Sequence, residues 1–385
     1  AKNIDHKAGK KAQQEKYPPI PIPAISMKIV QENRVRIFLI VAFTAVGILR
    51  LYYCFQVPLY TTDLFRNLGY GREFWRFGAD IYSAMPEDFS PAPYQFFWST
   101  HGYTYPAATI LFFALIAPIC TGLVHAKVIL TLLSALNSWM TWRITKDRWI
   151  ALLYWANPIS IWFGSHEGQF EPYVATWMIL GIWLLQKKSP WSMFCLAMAV
   201  QAKLFPVFLI PTFFLWDWRR PPKQWALDAA AFAVGFLPSI VLALTGDYLS
   251  KLFSPAYIPH INHIPWNISD LRQFRPQPLW LIYLNAVVSK GTLLLLAGFS
   301  YLRYRAIRKA GEEFFQTRFD CILDYAPLLL FICLLKSSPL TQDWHLMLVP
   351  AFALTIRHPR HRMIVFLIAW LFGVRSMYSM LIGPI

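Results

Sequence analysis

YTTDLFRNLGYGREFWRFGADIYSAMPEDFSPAPYQFFWSTHGYTYP, residues 60–106, lies between two strongly apolar stretches and reads as a long loop at a membrane face. It opens with a carboxylate, Asp63, a few residues after the first apolar stretch ends. Leu64, Leu68, Phe74, Trp75 and Phe77 then alternate with Arg66, Arg72, Glu73 and Arg76 at helical spacing. That pattern predicts a helix lying in the interface, apolar side to lipid or protein and charged side to water. The loop closes on His101 and on Tyr103 to Pro106. Two readings of Asp63 stand: a carboxylate held at the membrane surface for chemistry on a lipid headgroup, or a cap for the helix after it.

Composition places the loop in a membrane protein. The chain is 56% hydrophobic and 15% charged, with a mean hydropathy of +0.39. Such values predict an all-α polytopic membrane protein of about ten or eleven apolar helical segments, some half-length or re-entrant. A net charge of +16 invites a nucleic-acid partner. The basic residues instead cluster at the ends of apolar spans, which is the positive-inside pattern, so nucleic acid is excluded as a partner. The five cysteines follow neither a metal-ligand nor a disulfide spacing and read as packing residues.

Working outward, residues 1–27 form a polar, Lys- and Pro-rich arm, with Met27 a candidate natural start, and 28–385 one transmembrane domain. Lys28, Arg34 and Arg36 put the N-terminus in the cytoplasm, which makes the 57–105 loop extracytoplasmic. Arg50 lies inside the first span near its outer end, where an Arg faces a polar cavity or snorkels to water, and snorkelling is the expectation. Pro106–Cys120 is too short to cross comfortably and reads as a half-helix or a tilted short helix, with Val124–Trp142 the full crossing.

GSHEGQFEP, residues 164–172, faces outward and packs His166, Glu167, Gln169 and Glu171 between apolar walls, where polar groups need a watery cavity. The second histidine of a zincin is absent, and two glutamates at i and i+4 are a weak metal signal. No metal or other cofactor is required on this reading, and a divalent ion stays open. Trp191–Trp218 reads as one long or two short apolar segments, a re-entrant pair with Lys203 at its tip if both ends are cytoplasmic, and Lys203 needs a counter-anion, a protein carboxylate or a ligand phosphate. A second outer loop, 247–278, carries Arg272 and Arg275, which suit phosphate. Asn267-Ile268-Ser269 in the same loop is a glycosylation sequon with meaning in a eukaryotic secretory compartment.

These stretches resemble the GT-C superfamily of integral-membrane glycosyltransferases, and most closely its polyprenyl-phosphate-mannose-dependent branch. The likeness rests on Thr62-Asp63 with Gly78 to Tyr82 and Tyr103 to Pro106, on Asn157-Pro158 followed by His166 to Glu171, on Gln201 to Pro206, and on Ser338-Pro339 with Trp344-His345 and Pro350. The extra Glu167 and Glu171 in place of the usual Asp depart from the pattern. The resemblance implies a hexose, mannose first, moved from a polyprenyl-phosphate donor to a lipid-linked glycan or glycolipid acceptor at the membrane. Asp63 is then the base, with Lys203, Arg272, His345 and Arg275 on the donor phosphate. Tyr82, His101, Tyr105, His166, Glu167, Gln169 and Glu171 line the substrate cavity. One carboxylate suffices for direct inverting displacement, because the phosphate is already a good leaving group. A lipid or sugar transporter and a non-catalytic subunit of a glycosyltransferase complex are the competing classes; the lack of an internal repeat speaks against the transporter. Localisation on this reading is the plasma or inner membrane, or the endoplasmic reticulum in a eukaryote.

Overall fold

A computed structural model of the protein describes residues 24–58, 62–85, 88, 103, 105–216, 221–252, 291–310, 318–337 and 343–382. Among them every regular element is a helix. The chain divides into two compact units, residues 1–45 and 46–385. The described part of the first is residues 24–45 of helix α1 (Ala24–Cys54).

In the second unit, α2 (Thr62–Phe77) covers the stretch for which an interfacial helix is expected, and a 3-10 turn, Gly78–Tyr82, comes after it. Its faces differ in part from the expectation. Leu64 and Leu68 are buried in the protein core, while Trp75 is exposed and its indole N–H donates to the Ala114 carbonyl. Arg72 and Arg76 stay at the surface as expected. Arg66 does not: its side chain is 8% exposed. Helix α2 packs on α3 (Ala107–Ile116), the expected half-helix, and Gly71 makes the approach possible. A Cβ there would lie 2.5 Å from the Phe113 carbonyl carbon.

Helix α4 (Leu123–Thr145) is long and apolar enough to cross a membrane, as is Gln31–Cys54 of α1. A third candidate is the pair α9 (Pro222–Gly235) and α10 (Leu237–Thr245), bent by 45°. Other apolar stretches are broken into shorter helices. Asp147 caps α5 (Arg148–Trp155) by accepting from the Trp149 and Ile150 amides. After Asn157-Pro158 the chain winds into a π-helical turn, Ser160–His166, and then α6 (Glu171–Gln186). Helix α7 (Trp191–Ala202) ends at Lys203, whose backbone is extended, before a 3-10 turn, Phe205–Leu209, and α8 (Ile210–Phe214). The Trp191–Trp218 stretch is therefore two short segments with Lys203 at the break. The C-terminal part holds α11 (Tyr248–Leu252), α12 (Thr292–Ala310), α13 (Arg318–Ser337), a 3-10 turn Asp343–Leu348, α14 (Val349–Ala353) and α15 (Pro359–Ile382). Helix α6 lies against both α4 and α7, and its N-terminal end meets the 343–348 turn. This places Glu171, Lys203 and His345 side by side.

Arg50 does not snorkel. Its side chain is fully buried in the second unit and stacks 4.4 Å over the Trp155 ring. The carbonyl and hydroxyl oxygens around it take the place of water.

Candidate functional site

The site is built on the segment that joins the π-helical turn to α6. Gly168 lets that segment turn: its φ is +75°, a region L side chains avoid. Space matters as much, since a Cβ on Gly168 would lie 2.4 Å from Leu64 Cδ2 on α2. The turn brings Gln169 against the start of α2. The Gln169 Nε2 amide reaches Asp63 Oδ2 at 3.4 Å, a long contact, and the Arg66 guanidinium donates to Asp63 Oδ1 at 2.8 Å. Asp63 sits in the first turn of α2, where a carboxylate also faces the positive end of the helix dipole. Its side chain keeps 14% exposure.

Arg66 lies 4.9 Å from the Tyr105 ring centre, and Tyr82 Oη donates to the Tyr105 carbonyl. Burial pushes the Tyr105 phenol up, and the Asp63 charge adds to it. The Tyr105 ring meets the Phe170 ring edge-on at 5.0 Å, and the Lys203 ammonium lies 4.9 Å over that same Phe170 ring. Aromatic rings thus bridge the two polar halves of the site.

The second half is centred on Glu171, which is fully buried. Its Oε1 accepts from the Lys203 ammonium in a short contact and from His345 Nδ1 at 2.9 Å. Burial pushes the Glu171 carboxyl up; Lys203 and His345 more than reverse this and hold it down at about 2. Lys203 therefore has a protein carboxylate as its counter-anion. Glu167 is also buried, hydrogen-bonded to His166 Nδ1 at 2.7 Å, and His166 stacks on Trp162 with ring centres 4.4 Å apart.

Of the residues expected at the site, the structure brings together Asp63, Tyr82, Tyr105, Gln169, Glu171, Lys203 and His345, with the His166–Glu167 pair beside them in sequence. Tyr82, His166, Glu167, Gln169 and Glu171 are buried within the protein rather than lining an open surface. His101, Arg272 and Arg275 lie outside the described residues. The alternation of apolar and charged residues puts Arg66 on the wet side of its helix; the Asp63–Arg66 spacing of three, which sets the two side chains on one face, is the signal that finds it. Lys127 in α4 also escapes a sequence reading. It is fully buried and donates to the Gln56 carbonyl at 2.7 Å. Among the described residues no group of three or more His, Cys, Asp or Glu is placed to hold a metal ion. Compared with known proteins, the chain matches no family model, no curated protein and no solved structure.

Proposed function

We propose that this chain is an integral-membrane glycosyltransferase. It moves a hexose, mannose first, from a polyprenyl-phosphate donor to a membrane-apposed lipid-linked glycan or glycolipid. The reading places the N-terminus in the cytoplasm and the site on the opposite side. One observation carries it: the carboxylates Asp63 and Glu171, whose surroundings meet at the Tyr105 and Phe170 rings, stand in environments that separate their roles, with Glu167 next in sequence. Glu171 is buried under two basic side chains and Glu167 under His166, whereas Asp63 keeps contact with solvent. A general base must reach its substrate's proton, which favours Asp63.

On this reading the acceptor hydroxyl gives its proton to an Asp63 oxygen as its own oxygen bonds to the anomeric carbon. The bond from that carbon to the phosphate oxygen breaks, the electron pair leaves with polyprenyl phosphate, and the configuration inverts. Arg66 and Gln169 orient the carboxylate. Lys203 and His345, with Arg272 and Arg275 of the outer loop, hold the departing phosphate. An ammonium has three N–H donors, so pairing with Glu171 leaves donors for a second anion.

The test supplies purified protein in lipid with a labelled polyprenyl-phosphate hexose and a glycolipid acceptor. Release of polyprenyl phosphate together with an inverted glycosidic linkage is expected. Movement of the donor across the bilayer without release supports a flippase instead. Neither activity, with binding to another transferase, supports the non-catalytic subunit.

A further inference from the structure

Arg50 is a buried ion that the transfer reading leaves without a task. It makes five hydrogen bonds, all to neutral oxygens. Nε and one terminal nitrogen both donate to the Trp155 carbonyl, at 3.0 and 2.7 Å. That terminal nitrogen also donates to Ser160 Oγ at 3.0 Å. The other reaches the Ser160 carbonyl at 3.1 Å and Ser165 Oγ at 3.0 Å.

The sequence explains why those oxygens need donors. In an unbroken α-helix the Trp155 carbonyl takes the amide of residue 159. Here the Ile159 amide bonds to the Asn157 side chain instead, at 3.1 Å, because Asn157-Pro158 breaks the helix. The chain then continues in π geometry, with the Glu167 amide on the Trp162 carbonyl, and beyond the turn the Gln169 amide reaches the Phe163 carbonyl six residues back. A π turn holds extra residues, and each added residue rotates the downstream chain by roughly 100°. The register of the turn therefore decides where His166, Gln169 and Glu171 point. Arg50 grips that turn before its start, at its first residue and near its end. Thr131 Oγ1 on α4 donates to the same Ser165 hydroxyl at 2.9 Å, which ties the grip to a second helix.

We infer that Arg50 is a positioning residue. It fixes the π register after Asn157-Pro158, and so sets Gln169 against Asp63 and Glu171 against Lys203 and His345. Its planar fork is the requirement, because a lysine ammonium keeps the charge and cannot span three separated points. The functional half of this inference rests on the transferase reading; the geometric half does not.

The experiment compares wild type with Arg50→Lys by two measurements. The first is the quenching of Trp162 fluorescence by the His166 ring stacked on it, isolated by subtracting the Trp162→Phe protein. His166 faces Glu167, Trp162 and Tyr53. Arg50→Lys should lose this quench, because His166 rotates away. The second is turnover with the polyprenyl-phosphate hexose, which should fall about 10²-fold while donor KM changes little, the scale of a roughly 1 Å misplacement. An unchanged quench overturns the inference whatever the turnover. A lost quench with unchanged turnover overturns the positioning role. Absence of wild-type turnover sinks the transferase reading, and the quench still scores the geometry. Should Arg50→Lys not fold, Ser165→Ala removes one acceptor of the fork and should shift both readouts in the same direction by a smaller factor; no shift overturns the inference.

Discussion

Asp63 and Glu171 carry the same charge, and one short segment joins their surroundings, yet the protein treats them in opposite ways. Glu171 is fully buried and holds two basic side chains on one oxygen, so its charge is fixed. Asp63 sits at the edge, with one guanidinium, one distant amide and some water. A base must reach its substrate's proton, and of the two only Asp63 keeps side-chain exposure. The difference teaches that burial and pairing, rather than residue type, assign the roles: a carboxylate already neutralised by an ammonium is a poor proton acceptor.

Asp63→Asn presses hardest on that contrast. It keeps shape and hydrogen bonding and removes basicity, so turnover should fall about 10²–10⁴-fold with donor binding retained. Near-full activity would leave Asp63 as a helix cap, since Asn caps about as well, and would move the search to Glu167 and Glu171. On the other side, Glu171→Leu strands the Lys203 ammonium in the interior. A loss of about 3–5 kcal/mol is expected in denaturant unfolding. The wild-type pair also has an acid signature. The Glu171 carboxyl is lowered from 4.5 to about 2, so its contribution to stability is complete above pH 4.5 and disappears as pH falls toward 2. That limb should be absent in Glu171→Leu.

Gly168→Ala strikes the joint between the two regions. The positive φ and the 2.4 Å approach to Leu64 Cδ2 should cost about 1–3 kcal/mol, read as a lowered unfolding midpoint, and should disturb the Gln169–Asp63 contact. The smallest effect belongs to Arg76, whose side chain is 60% exposed and 3.6 Å from Glu73. Arg76→Ala should change stability by about 0–1 kcal/mol, and a larger change would mean that the outer face of α2 takes part in the site.

The helix after Asp63 and the short apolar helix at Ala107–Ile116 were legible in the sequence. Each comes from local rules: helical spacing of apolar residues, and a run too short to cross a bilayer. The site was legible only as a set of residue types. The pairing of Lys203 with Glu171 was one of two open choices, and spacing along the chain has no means of choosing between them.

What the sequence by itself determined is the all-helical class and the presence of apolar helices long enough to cross a membrane, because hydrophobic periodicity and length are properties of contiguous residues. What only the tertiary structure decided is which charges meet. Arg50 turned inward because the Asn157-Pro158 break leaves carbonyls without helical donors. Arg66 left the wet face because Asp63 and the Tyr105 ring receive it. Lys203 found Glu171 because α6 and α7 pack side by side. A buried polar group takes the partner that packing places within about 3 Å of it, and that partner lies 32 positions away for Lys203 and 105 or more for Arg50.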